Sequence, residues 1–127
     1  MSTLKVTNIQ ATGETASRAV SGVAAAWIRF NSSTGSPVTD GSNNVSSVTD
    51  NGTGDFTLNW SNNMANVNYT ISSTGSNGAA GSTSYTLTTG DSFTTSGVQV
   101  VAFLINSSSV TRSDRKYNCA SIHGDLA

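Results

Sequence analysis

The sequence predicts an all-β fold, an antiparallel β-sandwich of jelly-roll-like type formed by a single domain with an extended N-terminal arm. Three observations lead to this prediction. Apolar and β-branched residues alternate with polar residues at a period of two along several short segments. Clusters of Gly, Asn, Asp and Ser separate roughly seven or eight such segments at spacings of about 10–15 residues, as in sandwiches. No apolar stripe of helical period and normal helix length occurs, which disfavours alternating β/α folds.

The chain divides into an N-terminal arm and linker, residues 1–22, and a β-sandwich module, residues 23–127. The apolar residues of the arm are Leu4 and Val6, which alternate with polar residues, and Ile9, which is out of phase. This pattern predicts a short extended arm or edge strand. The rest of the segment consists mostly of small residues without the apolar face that would stabilise a helix, so we interpret it as a linker.

The module is predicted to begin with a strand over residues 23–30. Alternation places Ile28 and Phe30 on the face towards the core, and Trp27 and Arg29 on the opposite face. Because Trp27 shares its face with a charged residue, we expect it at the surface or in an interface, where its ring could stack on a sugar.

A loop and a hairpin are predicted next. Residues 31–43 are rich in turn-forming residues and predict a loop. In the strand over residues 44–49, Val45 and Val48 are three positions apart, so both can point inward only if the strand contains a β-bulge. Asn51-Gly52 then gives the strongest hairpin signal of the chain, because Asn and Gly tolerate positive φ.

The second strand of this hairpin, residues 55–60, has the cleanest alternation in the sequence. Phe56, Leu58 and Trp60 face one way and polar residues face the other, as in a half-buried antiparallel strand. Met64 is predicted to anchor the connection that follows.

The later strands are predicted at residues 68–72, 83–89, 97–105 and 116–124, with turns beginning at residues 73, 90 and 106. Residues 97–105 are apolar on both faces, which predicts either a central position in a sheet or contact with a neighbouring subunit. The predicted inward residues are Ile28, Phe30, Phe56, Leu58, Trp60, Tyr69, Ile71, Tyr85, Leu87, Val100 and Phe103. The predicted interface residues are Trp27, Val101, Phe103 and Ile105.

Composition excludes several classes of function. The formal net charge is −1, and only 10% of the residues are charged, so nucleic-acid binding is not expected. No apolar run is long enough to span a membrane, and the polar N-terminus does not resemble a secretory signal. Cys119 is the single cysteine, which excludes an intrachain disulfide or a zinc site with several Cys ligands. An apolar fraction of 35% gives a thin core, which favours assembly into an oligomer.

Few residues suggest chemistry. Asp50 and Asp55 could belong to a calcium loop, but EF-hand spacing is absent, and we interpret them as turn-capping residues. Cys119 and His123 lie too far apart along a strand to pair as nucleophile and base. No nucleotide-binding or nucleophile-elbow motif occurs, so we expect neither an enzyme nor a cofactor. A weaker hypothesis places three copies of His123 around a metal on a three-fold axis. The charge cluster at residues 112–116 predicts a solvated turn, with ion pairs between subunits as the alternative.

A longer pattern resembles a known family. Residues 24–31 (AAAWIRFN) and 43–71 (NNVSSVTDNGTGDFTLNWSNNMANVNYTI) are similar to a β module common in bacteriophage tail-fibre and virion structural proteins. Its central motif, N-V-S-S-x-T-D-N-G-T-G-D-aromatic, occupies residues 44–56. The opening MSTLKVTNIQ also resembles the start of such proteins. The resemblance implies a non-enzymatic virion component with an all-β module, displayed on the particle surface and usually a homotrimer.

The length of the chain leaves no room for a fibre shaft, which favours a head-decoration protein, a head fibre or a short fibre component. Its arm, with Leu4, Val6 and Ile9, would attach it to a capsid, fibre or tail protein, for example by strand addition, after assembly in the host cytoplasm. The alternative is a tail-fibre receptor-binding module that recognises a host cell-surface saccharide through loops 31–43 and 73–82. Both loops lack aromatic residues, which favours the first hypothesis.

Overall fold

The computed structural model describes residues 5–9, 18–19, 23–77 and 84–127. Two antiparallel sheets pack together, which confirms the predicted all-β sandwich. Within the described ranges, the chain forms no helix of the length and hydropathy that crossing a bilayer requires. The strands are β1 (Asn8–Ile9), β2 (Arg18–Ala19), β3 (Ala24–Asn31), β4 (Val38–Asn43), β5 (Val45–Gly52), β6 (Asp55–Trp60), β7 (Thr70–Ser76), β8 (Ser84–Phe93), β9 (Gly97–Ile105), β10 (Val110–Arg112) and β11 (Tyr117–His123).

Sheet I has four strands in the order β4-β3-β11-β7. Sheet II has five strands, in which β9 pairs with β8 along one edge and with β6 and β10 along the other, and β5 pairs with β6. All of these pairings are antiparallel. Strands β1 and β2 of the arm pair only with each other among the described residues.

The core lies between the two sheets, and the alternation read from the sequence predicts most of it. Phe30 of sheet I and Phe56 of sheet II meet edge to face, with ring centroids 5.2 Å apart. This contact joins the centres of the two sheets. The buried apolar cluster comprises Ala25, Ala26, Ile28, Phe30, Phe56, Leu58, Trp60, Met64, Tyr69, Leu87, Val98, Val100, Ala102, Ala120 and Ile122, and Val45, Val48 and Ile71 pack against it.

Two core predictions need comment. Phe103 is not part of the core: it is half-buried on the opposite face of β9, because alternation from the buried Val100 and Ala102 turns it away. The side chain of Tyr85 lies outside the described residues, as does the whole of Leu4, whereas Leu87 and Met64 are buried as predicted.

The predicted bulge in the first strand of the hairpin is confirmed. The register between β5 and β6 shifts between Val45 and Ser47, so Val45 and Val48 both pack against the core. The hairpin turn lies later than Asn51-Gly52 predicts. Its two connecting residues are Thr53 and Gly54, and positive φ occurs at Gly52 (130°) and Gly54 (64°) rather than at Asn51.

Strand lengths were less predictable than strand positions. The predicted loop at 31–43 contains β4, and the predicted turn after residue 106 contains β10, because neither segment has apolar alternation. Both are peripheral strands with mostly exposed side chains. Strand β8 continues through Gly90-Asp91, where a turn was predicted, and the register shift between Thr89 and Phe93 absorbs the irregularity.

Candidate functional site

The outer face of sheet I carries an exposed tryptophan, an ion pair and several hydroxyl side chains. Two rows cross the sheet side by side: Trp27, Ser121 and Ser72 are register partners in one row, and Arg29, Cys119 and Thr74 in the next. These residues also line an open, shallow groove. We call this surface, defined by Trp27, Arg29, Asp40, Ser72, Thr74 and Ser121, the Trp27 face.

Trp27 lies on the surface as the sequence predicts, with 44% of its area exposed. Its indole leans towards β4, where a Cβ atom at Gly41 would lie 3.5 Å from ring atoms Cη2 and Cζ3. The ring therefore lies against β4, at van der Waals distance from the position that a Cβ atom of residue 41 would take. One side of a large aromatic ring is supported by the sheet, and the ring remains accessible to a ligand.

A β-bulge brings a carboxylate to the same face. The register between β3 and β4 passes from Arg29–Gly41 to Phe30–Thr39, so Asp40 is the extra residue on β4. Bulges of this kind redirect side chains. The Asp40 carboxylate forms an ion pair with Arg29, with Nε and Oδ2 3.1 Å apart, while both side chains remain partly exposed. No sequence pattern indicates a role for this residue, because residues 31–43 are predicted to form a loop.

Tyr117 is a second aromatic residue beside the Trp27 face, but Arg29 and Lys116 lie over its ring. The guanidinium carbon of Arg29 lies 4.7 Å from its ring centroid, and Nζ of Lys116 lies 5.4 Å from it. These are cation–π distances. Arg29 is therefore held between the Tyr117 ring and the Asp40 carboxylate, which fixes the position of its donors.

The hydroxyl groups on the Trp27 face are largely unused by the fold. Ser72 and Thr74 are exposed and make no side-chain hydrogen bond within the described part of the chain. Ser121 Oγ lies within hydrogen-bonding distance of His123 Nε2, at 3.2 Å. His123 and Cys119 share this face and are half-buried. The described residues contain no group of three metal-ligating side chains, and the three-fold metal hypothesis for His123 stays a prediction.

The β5–β6 hairpin contains the other candidate residues, Asp50 and Asp55, and the structure uses both in the turn. Asp50 Oδ1 accepts a hydrogen bond from the Gly52 N–H at 2.9 Å, as expected of a turn-capping residue. Asp55 Oδ1 accepts bonds from Gln99 Nε2 (2.8 Å) and Asn51 Nδ2 (3.2 Å). Its second oxygen accepts a bond from Arg112 Nη1 at 2.5 Å.

Asp55 is consequently held in its charged form. Burial by itself would raise the pKa of this carboxyl, but the hydrogen bonds from Gln99 and Asn51 and the charge of Arg112 outweigh it. The pKa of Asp55 therefore lies below its ordinary value. A carboxylate satisfied by three side chains is a structural group and has no free oxygen directed at a ligand.

The hairpin tip is locked against β9 and the segment after β10. The Ala102 N–H donates to Gly54 O at 2.8 Å, and the Gly54 N–H donates to Asp114 Oδ1 at 2.8 Å. Arg115, from the same charge cluster, is only 6% exposed. The prediction of a solvated turn at residues 112–116 is therefore wrong for Arg115, whereas Arg112 and Lys116 are exposed. Arg112 and Asp114 hold the hairpin within one chain.

The remaining predicted site residues are not brought together. Val6 is 45% exposed, and the side chain of Ile9 lies outside the described residues. Phe103 and Ile105 are half-buried on the outer face of sheet II. Val101, predicted there as an interface residue, is only 4% exposed in the single chain and offers little surface to a partner.

Comparison of the chain with known protein families, with curated proteins and with solved structures finds no match.

Proposed function

We propose that the protein is a non-enzymatic structural component of a bacteriophage virion. It is a small β module displayed on the particle surface as a head decoration, head fibre or short fibre component, and residues 1–22 attach it to a capsid, fibre or tail protein. The observation that carries the proposal is the motif at residues 44–56, which resembles that of tail-fibre and virion β modules.

The roles of the motif residues support a structural function. Val45 and Val48 pack against the core, and Gly52 and Gly54 adopt the positive φ of the turn. The carboxylates at both ends of the turn accept hydrogen bonds from within the chain. Most polar side chains of the motif hold the hairpin through hydrogen bonds within the chain. Such a motif is suited to a rigid building block, since catalysis requires groups directed at a substrate.

We propose that the module is a homotrimer. Its apolar fraction is low at 35%, and Phe103 and Ile105 leave apolar surface on the outer face of sheet II that a neighbouring copy would cover. Light scattering of the full chain is expected to give three times its 13.0 kDa mass. A monomer at all concentrations would contradict the assembly.

Attachment is tested on particles of the phage that encodes the protein, prepared with this gene deleted. The full chain is expected to sediment with the particles, and a chain lacking residues 1–22 to remain in the supernatant. Equal binding of both would disprove the role of the arm. Failure of the full chain to bind would disprove the virion assignment.

A second candidate is a receptor-binding module that recognises a host cell-surface saccharide. One observation favours it: Trp27 is exposed on a sheet face with an ion pair and with the hydroxyl groups of Ser72 and Thr74, which have no partner among the described residues. This observation favours a site on the outer face of sheet I rather than in the predicted loops 31–43 and 73–82.

A further inference from the structure

We infer that the Trp27 face is a binding site for a neutral saccharide, with a pyranose ring stacked on the Trp27 indole and its hydroxyl groups bound by the Arg29–Asp40 pair. The inference rests on the second candidate function, for which it names the site and the class of ligand. It is independent of the attachment of residues 1–22 to a particle.

Trp27 provides an aromatic platform on which a sugar ring can stack. A pyranose ring has an apolar face of C–H groups and a rim of hydroxyl groups, so it binds where an aromatic face adjoins polar groups. Trp27 is 44% exposed and supported from one side at Gly41. Tyr117 is covered by Arg29, which leaves Trp27 as the available ring of this face.

The ion pair provides directed donors and acceptors. Arg29 and Asp40 are 3.1 Å apart and still partly exposed, so each retains hydrogen-bonding capacity towards a ligand. The bulge at Asp40 turns its carboxylate to the face that carries the indole. Because the two charges compensate each other, a neutral ligand is favoured over a phosphate or an acidic sugar, which would bind best to an unpaired cation.

The floor of the groove distinguishes a saccharide from other occupants. Ser72 and Thr74 offer hydroxyl groups without partners among the described residues. A lipid chain would displace the water bound to these hydroxyl groups and would offer no hydrogen bonds in its place. The centre of an interface between two copies is normally more apolar than the Trp27 face, where a single indole is surrounded by polar groups. Hydroxyl groups of a saccharide, directly or through water, satisfy the same groups.

The test uses the full-length protein and the fact that it has only two tryptophans. Their indole N–H signals are separable by NMR, and Trp60 is buried with 6% exposure, so it reports on the fold while Trp27 reports on the site. The probes are neutral hexasaccharides of glucose, galactose, mannose or N-acetylglucosamine at millimolar concentration. We expect at least one hexasaccharide to shift the NMR signal of the Trp27 indole N–H and to leave that of Trp60 unchanged. The same hexasaccharide should protect the fluorescence of Trp27 from quenching by acrylamide.

Variants then locate the site. Trp27→Ala is expected to lower affinity for the bound hexasaccharide at least about tenfold, which is 1.4 kcal/mol. The double variant Ser72→Ala with Thr74→Ala is expected to weaken binding severalfold. The matched control, Ser47→Ala with Thr49→Ala, changes the same residue types on the outer face of sheet II and should bind like the wild type.

Three results would overturn the inference. The first is no response of Trp27 to any of the hexasaccharides. The second is binding that Trp27→Ala leaves unchanged. The third is a Trp27→Ala chain that becomes monomeric while the wild type is oligomeric, since the face would then be an interface between copies. None of these results bears on sedimentation with particles through residues 1–22, so the two proposals fail separately.

Discussion

The outer faces of the two sheets carry the same types of residue, but the described side chains bond to one another extensively only on sheet II. There Asn59 Nδ2 donates to Ser47 Oγ at 3.1 Å and to Thr49 Oγ1 at 2.9 Å. Asn51 Nδ2 donates to Thr57 Oγ1 at 2.9 Å. We call this surface, defined by Ser47, Thr49, Asn51, Thr57 and Asn59, the Asn59 face. On the Trp27 face, Ser72 and Thr74 have no such partners among the described residues.

The difference shows how a chain rich in Ser, Thr and Asn can separate stability from binding. Cross-strand polar pairs stabilise a sheet when they lie opposite each other, and each pair contributes a modest amount. On the Asn59 face this stabilisation extends to the locked hairpin through Asp55. On the Trp27 face, Ser72 and Thr74 make no such bonds among the described residues, so we expect them to contribute little to folding.

The hairpin lock predicts the largest effect, for Gly54→Ala. Gly54 has a φ of +64°, and a Cβ atom there would lie 2.5 Å from Ser113 N and 2.6 Å from Ala102 O. Left-handed strain and overpacking together should lower the free energy of unfolding by about 3 kcal/mol. Urea denaturation measures the change.

The matched control is Gly35→Ala in the β3–β4 turn of sheet I. Its φ is +94°, but nothing lies within 4 Å of the new Cβ atom, so only backbone strain of about 1 kcal/mol is expected. Equal losses at the two glycines would show that the hairpin is not locked.

Two aspartates test the ion pairs of the two faces. Asp55→Ala leaves Gln99, Asn51 and Arg112 without their shared acceptor and should cost about 2–3 kcal/mol. Asp40→Ala breaks a pair whose side chains are 51% and 38% exposed and should cost less than about 1 kcal/mol. Thermal and urea unfolding measure both. An Asp40 variant that is as unstable as the Asp55 variant would contradict the division between the faces.

The pH dependence of stability follows from the lowered pKa of Asp55. The unfolded chain binds this proton near the ordinary pKa of about 4 and the folded chain only at lower pH. The stabilisation is therefore complete above that pKa and is lost as the pH falls through the folded pKa. Urea denaturation between pH 6 and pH 2 should show a loss in the wild type that is smaller in Asp55→Asn. Parallel pH profiles for the two proteins would refute this role for the carboxylate.

Sequence patterns predict the parts of this molecule that depend on apolar alternation. The strand from Phe56 to Trp60 and the bulge between Val45 and Val48 follow from the requirement that apolar side chains reach one core. The same reasoning failed at β4, whose one apolar residue, Val38, is 55% exposed. An edge strand of polar residues is defined by hydrogen bonds to its neighbour, which leave no pattern in the sequence.

The candidate site was only half predictable for the same reason. Exposure of Trp27 followed from its alternation with Ile28 and Phe30 on β3. Its polar neighbours come from strands β4, β7 and β11, and which of their residues lie beside it depends on strand order and register. The position of Asp40 further depends on a bulge that no spacing in its segment indicates.

The Asn59 ladder predicts a moderate effect. Asn59→Ala removes the donor that joins Ser47 and Thr49 and should lower the free energy of unfolding by about 1 kcal/mol. Urea denaturation at neutral pH measures it. A change indistinguishable from zero would mean that water replaces these bonds at no cost.

The smallest effect is expected for Ser72→Ala combined with Thr74→Ala on the Trp27 face. Both side chains are exposed and make no hydrogen bond with the described residues, so the free energy of unfolding should change by less than about 0.5 kcal/mol. The same variant should lose saccharide affinity. A loss of stability comparable to that of Asn59→Ala would show that these hydroxyl groups stabilise sheet I, and any change in binding could then arise from altered folding. If stability is unchanged and saccharide binding is weakened, the two hydroxyl groups contact the ligand, because altered folding is then excluded as the cause of the weaker binding.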